Sequence, residues 1–205
     1  MWWGACSQER RLEPHSYSRI TRKAKMTDIP AMLSLINGYA AEGVMLPRTE
    51  FELSECIRDF TVIYDGNSLL GCAALHFYSP MVAELRSLAV SREARSTGAG
   101  RQLVEAIEVE AREFDLQSVF AFTYVPDFFA KMGYELVDRN ELPLKAWKDC
   151  LRCPKFQACD EIAVLRKLKP QSEAVQQREA LRILPGDTTP GLAIQPYVIP
   201  HPTGY

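Results

Sequence analysis

The stretch most able to do chemistry is Arg95-x-x-Gly98-x-Gly100, which follows a strand-like run ending at Val90 and opens a helix-like run. Two glycines let the backbone approach a ligand without Cβ obstruction. The first N–H groups of a helix lack intrahelical partners and carry partial positive charge, so they suit an anion. With the fixed charge of Arg95, the loop Ser96-Thr97-Gly98-Ala99-Gly100 would cradle a pyrophosphate. A plain glycine-rich connector is the competing reading. A dinucleotide fingerprint fits less well, because Leu103 stands where the third glycine belongs and seven residues separate Val90 from Gly98. A Walker loop is excluded, since Gly66-x4-Gly71 runs into Cys72-Ala73 rather than Lys-Ser/Thr.

A second cluster is Cys150-x2-Cys153-Pro154-x4-Cys159. Its spacing is that of metal ligands, and Cys56, Cys72 or Asp160 could complete a tetrahedral set. A second Cys-x2-Cys pair is missing, so zinc, packed thiols and a disulfide all stay open and no metal is assigned. A nucleophilic cysteine is disfavoured, because none of His15, His76 and His201 lies near a cysteine of this cluster in sequence. His76, within a strand-like run, reads as a core or cleft-lining residue.

These residues need a scaffold, and the periodicities supply one. Ser18–Ala24 reads as a strand. Thr27-Asp28-Ile29-Pro30 starts a helix with Ile29, Met32, Leu33 and Ile36 on one stripe. Thr49-Glu50-Phe51-Glu52 fits a capping box for a second helix carrying Phe51, Leu53, Cys56 and Ile57. Phe60–Tyr64 and Leu69–Tyr78 read as a hairpin around Asp65-Gly66-Asn67, and Val82–Val90 as a third strand of this group. After the glycine loop comes a helix with Leu103, Val104, Ile107, Ala111 and Phe114 on one side. A strand (Ser118–Thr123), a short helix from Pro126 to Gly133 and strands at Tyr134–Val137 and Glu161–Leu168 complete the domain. Hairpin-linked strands preceding a βαβ crossover predict an α/β (α+β) fold around a mixed central sheet.

Composition sets the outer limits. The 205 residues are 47% hydrophobic and 24% charged with a net charge of −2, which excludes wholesale disorder and gives no general pull toward nucleic acid or an anionic membrane. No apolar run reaches the ~18–20 residues of a membrane span. Six cysteines without a secretory signal suggest reduced thiols and a cytoplasmic location. The expected organisation is a flexible tail over 1–18, the domain over 19–168, an appended helix over 169–184 and a proline-rich tail over 185–205.

Arg95-x-x-Gly98-x-Gly100 after a strand resembles motif A of the GNAT acetyltransferases, and Phe128-Phe129-Ala130-Lys131-Met132-Gly133-Tyr134 resembles their motif B. A closer resemblance, over about residues 19–168, is to the acetyltransferase domain of bacterial N-acetylglutamate synthases. It is carried by Arg22-Lys23-Ala24 with Asp28-Ile29, Glu42-Gly43-Val44-Met45-Leu46-Pro47-Arg48-Thr49, Gly71-Cys72-Ala73-Ala74-Leu75, Ala83-Glu84-Leu85-Arg86-Ser87-Leu88-Ala89-Val90, and Val137-Asp138 with Leu142-Pro143. Nothing in the chain resembles the amino-acid-kinase domain of the long synthases, which implies a short stand-alone form.

The resemblance implies a GNAT fold with splayed strands holding acetyl-CoA as co-substrate. It implies transfer of acetyl to the α-amino group of L-glutamate, the first step of arginine biosynthesis, by direct attack in a ternary complex. The backbone from Ser87 through Leu88, Ala89 and Val90 would bind the pantetheine and stabilise the oxyanion. Glu84 would be the base. Strict alternation puts positions 84 and 87 on opposite faces, so a bulge is needed between them. Arg48 would bind substrate carboxylate, with Arg86 and Tyr124 beside it. Phe128 and Phe129 would flank the cofactor; Phe129 stands where many relatives carry a tyrosine acid, leaving Tyr124 as a candidate proton source. Lys145, Lys148 and Lys155 would border the cleft. Gln157-Ala158-Cys159-Asp160-Glu161 replaces the synthases' later arginine and serine. Partners are thus L-glutamate and acetyl-CoA, with neither nucleic acid nor membrane, and a homodimer open. The alternatives are a GNAT enzyme for another small or protein amine, and a non-catalytic acyl-CoA-binding module.

Overall fold

The computed structural model describes residues 19–142, 151, 153 and 155–168. The elements run β1 (Ile20–Lys23), α1 (Ile29–Ala41), α2 (Glu50–Glu55), β2 (Phe60–Asp65), β3 (Ser68–Phe77), β4 (Val82–Val90), α3 (Ala99–Glu113), β5 (Ser118–Thr123), α4 (Pro126–Ala130), β6 (Glu135–Leu136) and β7 (Ile162–Lys167). Local chemistry explains the boundaries. Pro30 sits in the first turn of α1. At α2 the Glu52 N–H donates to Thr49 Oγ1 at 3.2 Å while the Thr49 N–H donates to Glu52 Oε2 at 2.9 Å, a reciprocal cap. Gly66, at φ +55°, closes the turn between β2 and β3.

The strands form one mixed sheet in the order β1-β2-β3-β4-β5-β7-β6. Only the β4–β5 pair is parallel, the crossover between them being α3. One face packs Ile63, Ala73, Leu75, Leu85, Val119 and Ala121 against Leu103, Val104, Ile107 and Ala111 of α3 and Phe129 of α4. The other packs Phe60, Val62, Cys72 and Ala74 against Ile29, Met32 and Ile36 of α1 and Leu53 of α2. Two expected core positions are corrected. Phe114 caps the C-terminus of α3 and is 58% exposed, meeting Phe77 edge-on. Phe51 is 70% exposed, because the six-residue α2 buries only Leu53. Among the described residues no helix is long and apolar enough to cross a membrane. The expected tails at 1–18 and 185–205, the helix within 169–184, Lys145, Lys148 and Cys150 lie outside the described residues.

Two irregularities of β4 shape everything nearby. Ala74 faces Arg86 but Cys72 faces Ala89, so Ser87 and Leu88 together oppose Ala73 in a β-bulge. Ser87 carries the left-handed φ of +53° that the extra residue requires. The bulge meets the sequence-derived need for a change of face between positions 84 and 87. Secondly, β4 pairs with β5 only from Val82–Ser118 to Glu84–Phe120, and beyond that the strands part.

Gly71 lies behind the parted arm. A Cβ there would fall 2.6 Å from the Ala89 carbonyl oxygen and 3.0 Å from Leu103 Cδ1. At the far edge, Asp28 is buried yet charged. It accepts from Arg22 Nη1 at 2.7 Å and Nη2 at 3.0 Å, from the Lys25 N–H at 2.7 Å and from the Tyr64 hydroxyl at 3.0 Å, joining β1, α1 and β2. The Arg22 guanidinium, with these further donors, holds the Asp28 carboxyl down at about 2 against an ordinary 3.8.

Asp28→Asn is therefore expected to lower stability at pH 7 by about 2 kcal/mol. The deficit holds above about pH 4 and closes as the pH falls toward 2, where the wild-type carboxylate is protonated too; urea titrations across that range measure it. Gly71→Ala, despite the better strand propensity of alanine, should lower Tm by roughly 5–10 °C, because backbone cannot yield as a side chain can; calorimetry reads this directly.

Candidate active site

Where β4 and β5 part, a cleft of about 1400 Å³ opens. One wall is Glu84–Val90; the other is Phe122–Val125, continued by Phe128 and Phe129 of α4. The end of α1 and the loop after it (Tyr39 to Arg48) roof it, and Arg139, Cys153, Lys155, Cys159 and Glu161 complete the rim. Among the described residues β5 offers β4 no partner past Glu84, so the edge of that arm faces the cleft rather than a neighbouring strand.

At one end, Gly98 caps α3 with a φ of +89°, a conformation natural to glycine. No acidic residue sits in the first turn of α3 to compete for its N–H groups. Arg95, Ser96, Gly98, Gly100 and Arg101 line this end. A Cβ on Gly100 would lie 3.4 Å from Phe128 Cζ and 3.5 Å from Val90 Cγ2, narrowing the passage between helix and wall. Arg95 is held in place: its Nη2 donates to the Tyr39 hydroxyl at 2.9 Å and its guanidinium stacks 5.3 Å from the Tyr39 ring centroid. The Tyr39 hydroxyl donates in turn to the Val90 carbonyl at 2.5 Å.

The opposite end is rich in cations and carboxylates. Glu84 is 9% exposed and accepts from the Tyr78 hydroxyl at 2.8 Å. Arg86 lies two residues on, on the same strand face before the bulge. The Arg48 backbone is clamped in both directions by Asn37, whose Nδ2 donates to the Arg48 carbonyl and whose Oδ1 accepts from the Arg48 N–H, each at 2.9 Å. Across the cleft, Lys155 Nζ donates to the Tyr124 hydroxyl at 3.3 Å and lies 4.9 Å from its ring centroid. Burial raises the Tyr124 hydroxyl above its ordinary pKa, so it keeps its proton at neutral pH. Burial likewise raises the Glu161 carboxyl. Arg139 bridges this wall, donating to Cys159 Sγ at 3.2 Å and to the Glu161 carbonyl.

The cysteines divide by place. Cys72 is fully buried, and its thiol is pushed up to about 12, too high for reactivity. Burial also raises Cys56. Cys153 and Cys159 line the cleft as free thiols. Among the described residues no three His, Cys, Asp or Glu side chains gather as a metal site.

Of the residues singled out from sequence, Arg48, Glu84, Arg86, Ser87, Leu88, Ala89, Val90, Arg95, Ser96, Gly98, Gly100, Tyr124, Phe128 and Phe129 line this one cleft. Two do not. Ala99 is fully buried against the core cluster that α3 covers. Thr97 turns inward, its hydroxyl donating to the Ala94 carbonyl at 2.7 Å, and so fixes the loop instead of lining it. Sequence reasoning missed Tyr39, Tyr78, Arg139 and Glu161. Tyr39 lies three residues after Ile36 on α1, so a stripe-following residue at the end of a helix was the available signal; Arg139 and Glu161 give none.

Comparison with known proteins agrees with this geometry. The Acetyltransferase (GNAT) family profile matches residues 32–134. An uncharacterised N-acetyltransferase of Chlorobaculum tepidum is 43% identical over 147 residues, covering 72% of this chain and 95% of that protein. An amino-acid acetyltransferase of Mycobacterium tuberculosis is 27% identical over 142 residues, 68% of this chain and 81% of its own length. Among solved structures, N-acetylglutamate synthase from Neisseria gonorrhoeae, complexed with coenzyme A and N-acetylglutamate, gives a TM-score of 0.68 at 28% identity. That match spans 74% of this chain but 35% of the synthase. The parted strands, the glycine-capped helix and the family match over the same residues carry one conclusion: this chain belongs to the GNAT acetyltransferase family.

Proposed function

We propose that the chain transfers acetyl from acetyl-CoA to the α-amino group of L-glutamate by direct attack in a ternary complex. The observation that carries the acceptor is the placement of Arg48 and Arg86 in the same cleft as the buried Glu84. Glutamate brings two carboxylates, and guanidinium groups bind carboxylates in a planar, two-point fashion. A polyamine would want the opposite charge. The M. tuberculosis relative named as an amino-acid acetyltransferase and the gonococcal synthase bound to N-acetylglutamate support the same substrate class.

The residues present fit acetyl-CoA at the other end. The diphosphate would rest on the first N–H groups of α3, where Gly98 and Gly100 leave room and Arg95 and Arg101 add charge. The pantetheine would run along the edge of Ser87–Val90 that β5 leaves open, with Phe128 and Phe129 on its far side. Glu84 would take a proton from the substrate ammonium, directly or through water, because an ammonium cannot attack. The amine would then add to the thioester carbonyl. The charge growing on that oxygen would meet N–H groups at the Ser87 bulge, already fixed by the backbone and needing no reorganisation. The C–S bond breaks as the amide forms. Phe129 has no proton for the departing thiolate, whereas Tyr124, protonated at neutral pH, lines the same wall.

Two experiments test this reading. Isothermal titration with coenzyme A should show binding that weakens at least tenfold in Arg95→Ala and falls with added salt; undiminished binding would remove the phosphate assignment. Incubation with acetyl-CoA and each amino acid, following free thiol, should show clear preference for glutamate over glutamine and aspartate. Arg48→Leu should raise the glutamate KM roughly 30- to 100-fold with a much smaller change in kcat. Equal turnover of the three amino acids would sink glutamate as the substrate.

A further inference from the structure

We infer that Arg19 is a positioning residue for the phosphate end of the cleft, holding the Thr97 carbonyl so that the loop before α3 keeps the path its cap requires. This rests on the reading of the first turn of α3 as the diphosphate site. It extends that reading to a residue outside the cleft lining, ahead of β1.

The loop is strained by its own backbone. Ser96 has a φ of +62° and Gly98 a φ of +89°, so two left-handed residues flank Thr97. Glycine takes such a φ freely, but a serine does so at a cost, and a costly backbone persists where surrounding contacts over-determine it. Those contacts come from three directions. The Tyr39 hydroxyl and ring hold Arg95, just ahead of Ser96. Thr97 ties itself back to the Ala94 carbonyl, through Oγ1 at 2.7 Å and through its N–H at 3.4 Å. The third is Arg19, 78 positions earlier in the chain, whose Nη1 donates to the Thr97 carbonyl at 2.8 Å. Together the last two engage the N–H, the hydroxyl and the carbonyl of Thr97.

Charge points the same way. A carbonyl oxygen one residue before the cap carries partial negative charge, which works against an anion held by the first turn of α3. A guanidinium bound to that oxygen offsets it with a full positive charge. The side chain springs from the start of β1, which pairs with β2 from Ile20–Tyr64 to Lys23–Thr61. The same strand reaches α3 again through Lys23 Nζ, 2.7 Å from Glu110 Oε1. One edge strand thus braces α3 twice, at the loop before its N-terminus through Arg19 and toward its C-terminal end through Lys23. Arg19 lies ahead of the 32–134 span that the family profile matches.

The test measures coenzyme A binding by isothermal titration, together with steady-state kinetics, for Arg19→Ala, Arg19→Lys and Lys23→Ala. Arg19 is exposed, so Tm should stay near wild type. Arg19→Ala should weaken coenzyme A roughly fivefold and raise the acetyl-CoA KM alike, with kcat and the glutamate KM within about twofold of wild type. The ratio to wild type should persist at about 0.5 M salt, where attraction between distant exposed charges is screened. Arg19→Lys should recover most of the affinity, because one charged donor suffices for a single contact. Lys23→Ala loosens the same strand away from the loop and should leave coenzyme A affinity unchanged. Unaltered binding by Arg19→Ala overturns the inference, and so does a loss that salt abolishes, which would make Arg19 only a distant charge. No recovery in Arg19→Lys, or an equal loss in Lys23→Ala, overturns it too, since affinity would then not follow the Thr97 contact. Should Arg95→Ala bind coenzyme A as tightly as wild type, the diphosphate reading itself fails; a weakened Arg95→Ala beside an unaffected Arg19→Ala removes this inference alone.

Discussion

Two parallel strands that cease to pair after three residues are the constraint on which the rest depends. Past Glu84 the two walls carry backbone groups that a continuous sheet would have satisfied. Such an edge is tolerated when something else occupies it, and an extended amide-bearing ligand can do so. The bulge at Ser87 belongs to the same solution, because one extra residue turns the strand and switches which side chains face α1. Glu84 and Arg86 therefore face the α1 side ahead of the bulge, Ala89 faces it beyond, and Leu88 and Val90 pack toward α3.

Helix α1 ties the two halves of the cleft together over less than one turn. Asn37 fixes the Arg48 backbone, and Tyr39 fixes both Arg95 and the Val90 carbonyl. Arg48 and Arg95, at opposite ends of the cleft, are thus referenced to one rigid element. A side chain with several rotatable bonds becomes useful in recognition only when that freedom is removed beforehand.

Much of this was legible in the chain. The element order follows from periodicity, and the glycine loop before a long amphipathic helix is visible because helix ends and left-handed glycines leave compositional marks. Position 98 is such a case. The cleft wall from Leu88 to Val90 came from resemblance, since backbone hydrogen bonding writes nothing into side-chain identity. Thr97 and Ala99 show the limit of reading a loop as a block: residues adjacent in sequence alternate between cleft and core, and one turn of geometry decides which. Tyr78, Arg139 and Glu161 were invisible for another reason. Their relevance depends on contacts made across strands or between distant segments, and an aromatic in a strand or an arginine in a loop is ordinary until its neighbour is known.

Gly71 leads to a different kind of conclusion. It lines neither end of the cleft, yet the carbonyl of Ala89 passes so close behind it that a Cβ would fall 2.6 Å from its oxygen. The shape of the cleft is maintained by a missing atom one strand away. Efforts to broaden the amines accepted can vary the rim freely, but diversification that reaches this buried spot will fail by bending the wall itself, and no inspection of bound molecules would flag it.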